Sequence, residues 1–195
     1  KITSGEIVTS LGSAVAATWG DYDNDGFLDL FVAYNANGPD RLFHNNGNGT
    51  FTGIVNDPIV TSGTYTHCGA WGDYDKDGYL DLVLTDYHPT NSNSLIHNNG
   101  DGTFERVDDS PISLETSSSV GVSWADYDND GDLDVFIANT NNQNNTLYEN
   151  EGGAFTQVTV GSIVNDGGTS VGGTWGDYDN DLDLDLYVTN SSDQV

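Results

Sequence analysis

Short runs of apolar and β-branched residues, separated by segments rich in Asn, Asp and Gly, recur along the whole chain. The runs repeat with a period of roughly 50 residues, which is typical of arrays of supersecondary units. A tryptophan marks the same place in each unit: Trp19, Trp71, Trp124 and Trp175. The pattern therefore predicts a repeat protein rather than one irregular domain.

Each unit contains four predicted strands. In the first unit they span 14–19, 28–34, 41–44 and 51–55. The third and fourth strands recur at 95–97 and 104–107 in the second unit, and at 147–149 and 155–160 in the third. Turn segments such as NNGNGT and NNGDGT join these strands, and Asn-Gly and Asp-Gly pairs between apolar runs are strong hairpin signals. The chain is therefore expected to form antiparallel hairpins throughout.

The second strand of each unit is apolar on both faces. In the first unit Leu28, Leu30 and Val32 lie on one face, and Phe31 and Ala33 lie on the other. A four-stranded antiparallel sheet that is covered on both faces and repeats at a fixed period is typical of a propeller blade. The expected fold class is all-β, with β-propeller-type four-stranded antiparallel blades. About three and a half blades are expected, as a segment of a larger or assembled propeller.

The unit boundaries follow from this pattern. Residues 1–12 are predicted to be the last strand of a preceding blade, because KITSGEIV aligns with QVTVGSIV at 157–164. Three whole blades follow at 13–63, 64–116 and 117–168, and the first half of a fourth at 169–195. The incomplete ends indicate a segment of a longer repeat chain, or a subunit whose edge strands pair with another copy.

An acidic nine-residue loop joins the first two strands of every unit. Four converging carboxylates without a basic partner repel one another, so the loop predicts a hard cation with oxygen ligands, and calcium is the natural candidate. Asx turns that bind nothing are the alternative, but four copies with the same filled pattern favour three to four calcium ions. The aspartates at positions 1, 3, 5 and 9 are Asp21, Asp23, Asp25, Asp29, Asp73, Asp75, Asp77, Asp81, Asp126, Asp128, Asp130, Asp134, Asp177, Asp179, Asp181 and Asp185.

The loop differs from an EF-hand loop, which requires a glutamate at position 12. Position 12 is apolar here and belongs to strand sequence, at Val32, Leu84, Ile137 and Val188. The ion is therefore expected in the connection of a β-hairpin, with a backbone carbonyl near position 7 as a further ligand.

The net charge of −27 limits the partners of the chain. With only Lys1, Arg41, Lys76 and Arg106 as Lys or Arg residues, the surface should repel nucleic acid and anionic membranes. No apolar run approaches the length of a transmembrane helix, so membrane insertion is not expected. Weak oxygen-ligand calcium sites suit the high calcium concentration outside cells, which favours a secreted, extracellular or cell-surface location.

These features resemble the FG-GAP and VCBS repeat family, whose units join a tryptophan, a calcium loop of the form DxDxDGxxD and a following NxGDGxF turn. The resemblance covers essentially the whole chain. It implies a β-propeller, commonly seven-bladed as in integrin α-subunit heads, with calcium in the first hairpin of each blade. It also implies a secreted or cell-surface protein, and adds the carbonyls of four residues to the calcium ligands: Phe27, Tyr79, Asp132 and Asp183.

One loop departs from the family motif. Leu182 stands where the other loops have Gly26, Gly78 and Gly131. A left-handed backbone costs a residue other than glycine about 1–2 kcal/mol. We therefore expect the fourth site to be the weakest, either empty or bound with Asp183 in an altered ligand set.

A non-enzymatic structural or adhesive scaffold is the function that the pattern favours. The face opposite the calcium loops carries the connections at 35–40, 86–94 and 139–145, whose Asn, Asp, Tyr and Thr side chains suit a protein or carbohydrate ligand. One alternative is a head-to-tail filament subunit that associates through its edge strands, with glycans on the sequon residues Asn48, Asn144 and Asn190. Another is a propeller that binds or degrades polysaccharide.

The sequence does not favour an enzyme. His67 and Cys68 are adjacent in a predicted strand, so their side chains point to opposite faces and cannot form one nucleophile pair. Cys68 is the single cysteine, which also leaves no intrachain disulfide. No phosphate loop, zinc spacing or serine nucleophile elbow occurs. Surface or packing roles are expected for the four histidines: His44, His67, His88 and His97.

Overall fold

The computed structural model describes residues 5–9, 13–35, 38–62 and 65–191. These residues form three four-stranded antiparallel sheets and one two-stranded sheet. Within each sheet the strands are hydrogen-bonded in chain order, so every blade is a simple meander. The described part of the chain is thus an all-β array of about three and a half blades, as the hydrophobic pattern predicts.

The strands have the following bounds. Blade 1 contains β1 Ala14–Gly20, β2 Asp29–Tyr34, β3 Arg41–Asn45 and β4 Phe51–Ile54, and blade 2 contains β5 Thr66–Gly72, β6 Asp81–Asp86, β7 Ser94–Asn98 and β8 Phe104–Arg106. Blade 3 contains β9 Ser119–Ala125, β10 Asp134–Asn139, β11 Thr146–Glu151 and β12 Ala154–Val158, and blade 4 contains β13 Ser170–Gly176 and β14 Asp185–Asn190. The predicted strands of the three complete blades are confirmed to within two residues at each end.

Short helices, which the sequence pattern does not predict, precede or connect the sheets: α1 Glu6–Thr9, α2 Pro58–Thr61, α3 Pro111–Leu114 and a 3-10 turn at Ser162–Val164. Each is about one turn long, so hydrophobic periodicity cannot reveal it. Proline opens α2 and α3, where its missing N–H loses no helical hydrogen bond. Asp57 caps α2 by accepting from Ile59 N at 3.1 Å. Among the helices of the described chain, none is long and apolar enough to span a membrane.

The first segment of the chain corrects one prediction. Residues 1–12 are expected to form a strand, yet Glu6–Thr9 forms the helix α1. The remaining residues of that segment, 1–4 and 10–12, lie outside the described residues. The segment that aligns with it at the end of blade 3 is also helical, at Ser162–Val164. The internal alignment is therefore consistent, but its second half corresponds to a helical turn between blades.

Packing between adjacent blades buries both faces of the second strands. Phe31 of blade 1 lies in one apolar cluster with Leu82 and Leu84 of blade 2. Val83 of blade 2 lies in a second cluster with Val135 of blade 3. Every residue of β6 and of β10 is buried. This confirms that the second strand of an inner blade is covered on both faces.

The tryptophans of blades 2 to 4 pack against the preceding blade. An added Cβ at Gly20 would lie 2.8 Å from the Trp71 ring, and one at Gly72 would lie 2.8 Å from the Trp124 ring. Trp124 also donates a hydrogen bond from Nε1 to Ala70 O at 3.0 Å. Gly20 and Gly72, which follow Trp19 and Trp71, therefore leave room for the tryptophan of the next blade.

Candidate metal centres

The four acidic segments join the first two strands of their blades. We call them loop 1 (21–29), loop 2 (73–81), loop 3 (126–134) and loop 4 (177–185). Their fourth and sixth positions have a left-handed backbone in every case, with φ of 58° at Asn24 and 89° at Gly26 in loop 1. In loop 4 the corresponding angles are 64° at Asn180 and 79° at Leu182. The backbone conformation is therefore common to all four loops.

The first aspartate of each loop accepts hydrogen bonds from the loop backbone. Asp21 accepts from Asp25 N at 3.1 Å and from Gly26 N at 3.0 Å. The equivalent aspartates of loops 2, 3 and 4 accept from the sixth residue at 3.0, 3.0 and 3.1 Å. Carboxylate oxygens of Asp21, Asp23 and Asp25 consequently lie within 4.8 Å of one another. The alternating aspartates thus converge on one side of the loop.

The aspartate at position 9 is buried against the third strand. Asp29, Asp81 and Asp134 are 0, 0 and 1% exposed. Each accepts one N–H from the tyrosine of its own loop, at 3.3, 3.1 and 2.9 Å respectively. Each accepts a second N–H from an asparagine of the third strand, at 2.7, 2.9 and 2.9 Å. Strand backbone therefore fixes this carboxylate in position.

These buried carboxylates have no lysine or arginine partner among the residues that the structure describes. Burial raises the pKa of Asp29 above its usual range, that of Asp81 to about 7 and that of Asp134 to about 6. A divalent cation beside each group would offset the burial and keep it ionised. The buried Oδ1 of Asp126 has no hydrogen-bond partner in the described part of the chain, which leaves an oxygen that could bind an ion. The donor sets therefore fit a hard cation.

Loop 4 keeps this geometry although Leu182 replaces glycine. Leu182 N donates to Asp177 at 3.1 Å, as the glycines do in the other loops. Asp183 accepts from Asn129 Nδ2 at 2.9 Å, so one of its carboxylate oxygens is engaged outside loop 4. Among the described residues Asp185 accepts only the N–H of Tyr178, at 3.1 Å, and it is partly exposed. Its environment is more open than that of Asp134.

The residue at position 4 connects each loop to the next one. Asn24 Nδ2 donates to Gly78 O at 2.9 Å, and Asn129 donates to Asp183 as described above. Lys76 forms an ion pair with Asp132, whose other carboxylate oxygen accepts from Gly152 N at 2.7 Å. Because the side chain of Asp132 is engaged in this way, its backbone carbonyl remains the expected ligand atom. Sequence reasoning missed these links, since position 4 lies between aspartates and resembles a spacer.

Two histidines of the third strands, His44 of β3 and His97 of β7, face the acidic loops, a placement that the sequence does not predict. His44 Nδ1 is 3.2 Å from Asp23 Oδ2 and 3.3 Å from Asp29 Oδ1. His97 Nδ1 is 3.4 Å from Asp75 Oδ2 and 3.2 Å from Asp81 Oδ1. The repeated HNNG sequence, which places both histidines at one point of the unit, was the available signal.

Buried polar contacts occupy part of the opposite face. Asp40 accepts from Tyr34 N at 2.9 Å and from Thr66 Oγ1 at 2.7 Å, and burial raises its pKa to about 6. In blades 2 and 3 Asn93 and Asn145 accept from the second strand in the same way, at 3.0 and 2.9 Å. Much of the polar character that suggested ligand binding on this face therefore serves to join strands of the blades.

Relatives of the chain include proteins named Cartilage acidic protein 1. The Mus musculus protein is 30% identical over 83% of this chain, and the Xenopus tropicalis protein is 29% identical over 86%. The chain spans about a quarter of the length of these relatives, 26% and 27% respectively.

A solved structure shares the fold. It is a lectin of Agrocybe aegerita, described as recognising non-reducing terminal N-acetylglucosamine. The two chains superpose with a TM-score of 0.58 over 89% of this chain and 46% of that chain, at 18% sequence identity. At this identity the likeness supports the blade architecture alone.

The profile of the FG-GAP-like repeat matches the chain three times, at residues 21–84, 73–137 and 126–188. Each match begins at the first aspartate of one loop and ends in the second strand of the next blade. Because the matches together cover most of the sequence, the chain belongs to the FG-GAP-like repeat family.

Proposed function

We propose that the chain is part of an extracellular, non-enzymatic scaffold whose blades are stabilised by calcium in loops 1 to 4. The observation that supports this proposal most directly is the buried aspartate at position 9 of the first three loops, which lies among other carboxylates. Calcium takes about six to eight oxygen ligands in flexible geometry. The aspartates at positions 1, 3, 5 and 9 and the carbonyl at position 7 would supply them. Bound calcium would neutralise each loop and tie its first strand to its second.

An extracellular location is consistent with this proposal. Weak oxygen-ligand sites are filled at the calcium concentrations found outside cells and stay largely empty in the cytosol. The relatives carry the name Cartilage acidic protein 1, and cartilage consists largely of extracellular matrix. The net charge of −27 matches the acidic character in that name.

The environments of the residues that could act in catalysis favour a non-enzymatic scaffold. His67 Nδ1 lies 2.9 Å from Val120 O, so this nitrogen faces backbone. Burial raises the pKa of the Cys68 thiol, which disfavours the reactive thiolate. The aspartate clusters described above belong to the loops. These features favour a structural or adhesive role.

Calcium titration combined with thermal unfolding tests the proposal. We expect three or four ions to bind. At a free calcium concentration of about 100 times Kd, each site stabilises the fold by about 2.7 kcal/mol. Chelation should then lower Tm by more than about 15 °C for three filled sites in a chain of this size. Magnesium at the same concentration is the control, and should stabilise less because it prefers its own water ligands. A Tm that chelation leaves unchanged to within about one degree would contradict the proposal.

Carbohydrate binding is a second candidate, favoured by an aromatic patch at the end of blade 2 opposite loop 2. The rings of Tyr65 and His88 are 5.2 Å apart, and those of His67 and Tyr87 are 5.8 Å apart. Tyr65 and Tyr87 are 37% and 39% exposed. Amphipathic rings of this kind suit sugars, which present both C–H faces and hydroxyls. A neutral sugar such as the N-acetylglucosamine recognised by the Agrocybe aegerita lectin would avoid repulsion from the acidic surface.

An NMR titration with N-acetylglucosamine tests this candidate. We expect chemical-shift changes around Tyr65 and Tyr87 that Tyr87→Ala abolishes. Tyr87→Phe keeps the ring and serves as the matched control, so it should retain most of the binding. The absence of any shift at millimolar sugar would rule the patch out as a site for this ligand.

A further inference from the structure

His44 lies beside two of the carboxylates that converge in loop 1. Its Nδ1 is 3.2 Å from Asp23 Oδ2 and 3.3 Å from Asp29 Oδ1, and its Nε2 is 4.0 Å from Asp25 Oδ2. Ligand atoms of His44, Asp23 and Asp29 all lie within 4.8 Å of one another. The Nδ1 atom is buried and makes no hydrogen bond with any described residue. An imidazole nitrogen thus faces the same space as the carboxylate oxygens.

His97 repeats this arrangement in loop 2. Its Nδ1 is within 3.4 Å of Asp75 and Asp81 carboxylate oxygens, and it too is buried without a hydrogen bond among the described residues. The edge-on contact of Tyr74 with His97, at 6.0 Å and 77° between the rings, matches that of Tyr22 with the imidazole of loop 1, at 6.2 Å and 73°. Two independent copies therefore hold a histidine ring in one orientation toward the acidic loop.

Loop 3 differs at this position. In the third strand of blade 3 the equivalent residue is Glu149, which pairs with Thr156 as His44 pairs with Thr52. Loops 1 and 2 therefore combine nitrogen with oxygen donors, whereas the corresponding positions of loop 3 carry oxygen donors alone. Imidazole is a good ligand for zinc and other transition ions, whereas calcium selects oxygen.

The donor spacing suits one ion bound by both groups. Nitrogen and oxygen ligands that each lie about 2.1 Å from a tetrahedral zinc ion are about 3.4 Å apart. The distances from each Nδ1 to the nearest carboxylate oxygens are 3.2 to 3.4 Å. A histidine that only hydrogen-bonded the carboxylates through Nδ1 would align that N–H with one oxygen, and neither Nδ1 makes such a hydrogen bond among the described residues. The spacing instead resembles two corners of a coordination shell.

We propose that His44 and His97 are metal ligands, and that loops 1 and 2 are mixed nitrogen and oxygen sites that bind zinc in competition with calcium. Loop 3 remains selective for calcium. This inference rests on the proposed metal binding of the loops and adds the identity of the ion. The protein would then carry two classes of metal site on one face, and zinc would reach only the first two blades.

A zinc titration in millimolar calcium, followed by NMR of the histidine side chains, tests the inference. Zinc should change the Nδ1 chemical shifts of His44 and His97. His67 and His88, which lie away from the loops, are internal controls and should not respond at the same zinc concentration. Two zinc ions should bind with higher affinity than any further ions.

Histidine variants show which loop binds each zinc ion. We expect His44→Gln and His97→Gln each to lower the number of tight zinc ions from two to one, with an affinity loss of at least about tenfold at the altered loop. The double variant should bind none tightly, and His88→Gln should bind two. These side chains are partly exposed, so glutamine should not disturb the fold, and thermal unfolding in calcium checks this.

The inference would be overturned if the double variant bound zinc as the unaltered protein does. It would also be overturned if saturating zinc left the Nδ1 chemical shifts of His44 and His97 unchanged. Calcium titration of the same samples keeps the two proposals separate. If the loops bind calcium but His44 and His97 take no part in zinc binding, only the present inference is refuted. Failure of every loop to bind calcium would refute the proposed function, whatever zinc does.

Discussion

Loops 3 and 4 have almost the same sequence and the same backbone, but position 9 has different surroundings in the two loops. Asp134 is 1% exposed and accepts N–H groups from Tyr127 and from Asn150 of β11. Asp185 is partly exposed and, among the described residues, accepts only from Tyr178. The difference is the third strand, which lies beside β10 in blade 3 and has no counterpart beside β14 in the described chain.

This comparison separates local from tertiary contributions to the candidate site. Hydrogen bonds within nine residues set the backbone of the loop, so they form in blade 4 as well as in blade 3. Burial of the last carboxylate requires the third strand, whose contacting residue is sixteen positions further along the chain. The strength of a site should therefore follow the completeness of its blade.

The largest effect is expected from removing the carboxylate at position 9. Asp134→Asn should weaken calcium binding at loop 3 by more than about a hundredfold, since changes outside the first ligand shell alone cost about 10–100-fold. Asp185→Asn should cost about tenfold at loop 4, because that carboxylate is less firmly held. Site-resolved calcium titration by NMR measures both. Equal losses in the two loops would contradict the role assigned to the third strand.

A second change concerns the other end of the third strands. Asp40 precedes β3, and burial raises its pKa in the folded protein to about 6. The protonated carboxyl group therefore contributes fully to the free energy of unfolding below about pH 4. This contribution is lost as the pH rises through 6. Asp40→Asn introduces the residue type that blades 2 and 3 have at the equivalent positions, Asn93 and Asn145. Asn93 Nδ2 donates to Ser119 Oγ at 3.1 Å, so an amide at this position can satisfy a neighbouring hydroxyl.

We expect Asp40→Asn to raise the free energy of unfolding by about 3 kcal/mol at pH 8 and to change it little at pH 4. Chemical denaturation in saturating calcium measures this, because bound calcium should keep the loop carboxylates ionised across much of the range. Asp57→Asn, which makes the same exchange at a partly buried helix cap of blade 1, is the control. Parallel pH profiles for Asp40→Asn and the unaltered protein would show that Asp40 is not destabilising when ionised.

The smallest effect is expected at position 6. Leu182 has φ of 79°, a conformation that costs a residue other than glycine about 1–2 kcal/mol. Leu182→Gly should therefore tighten calcium binding at loop 4 by up to about tenfold. Gly131→Leu, whose φ is 93° in loop 3, is the reciprocal change and should weaken that site by a similar factor. If neither substitution changes affinity, the left-handed turn is not strained in the bound loop.

Much of the fold could be predicted because it depends on residues close in sequence. The period of two predicts strands such as β2 and β6, and Asn-Gly and Asp-Gly pairs predict the turns that follow the third strands. The repeat of Trp19 and its counterparts predicts the number of blades. The one-turn helices could not be found in this way, although the proline of α2 and the capping aspartate before it were visible signals.

The candidate site also has features set by the local sequence and features set by the tertiary structure. Spacing alone determined that Asp21, Asp23 and Asp25 converge, because alternating side chains and a left-handed residue at position 6 bring them to one side of a short loop. Only the tertiary structure decided that Asp29 is buried and that His44 faces it, since both depend on the register between β2 and β3. Hydrogen bonding between strands fixes that register, and a single sequence shows the residues of each strand without showing which residues of the neighbouring strand they meet.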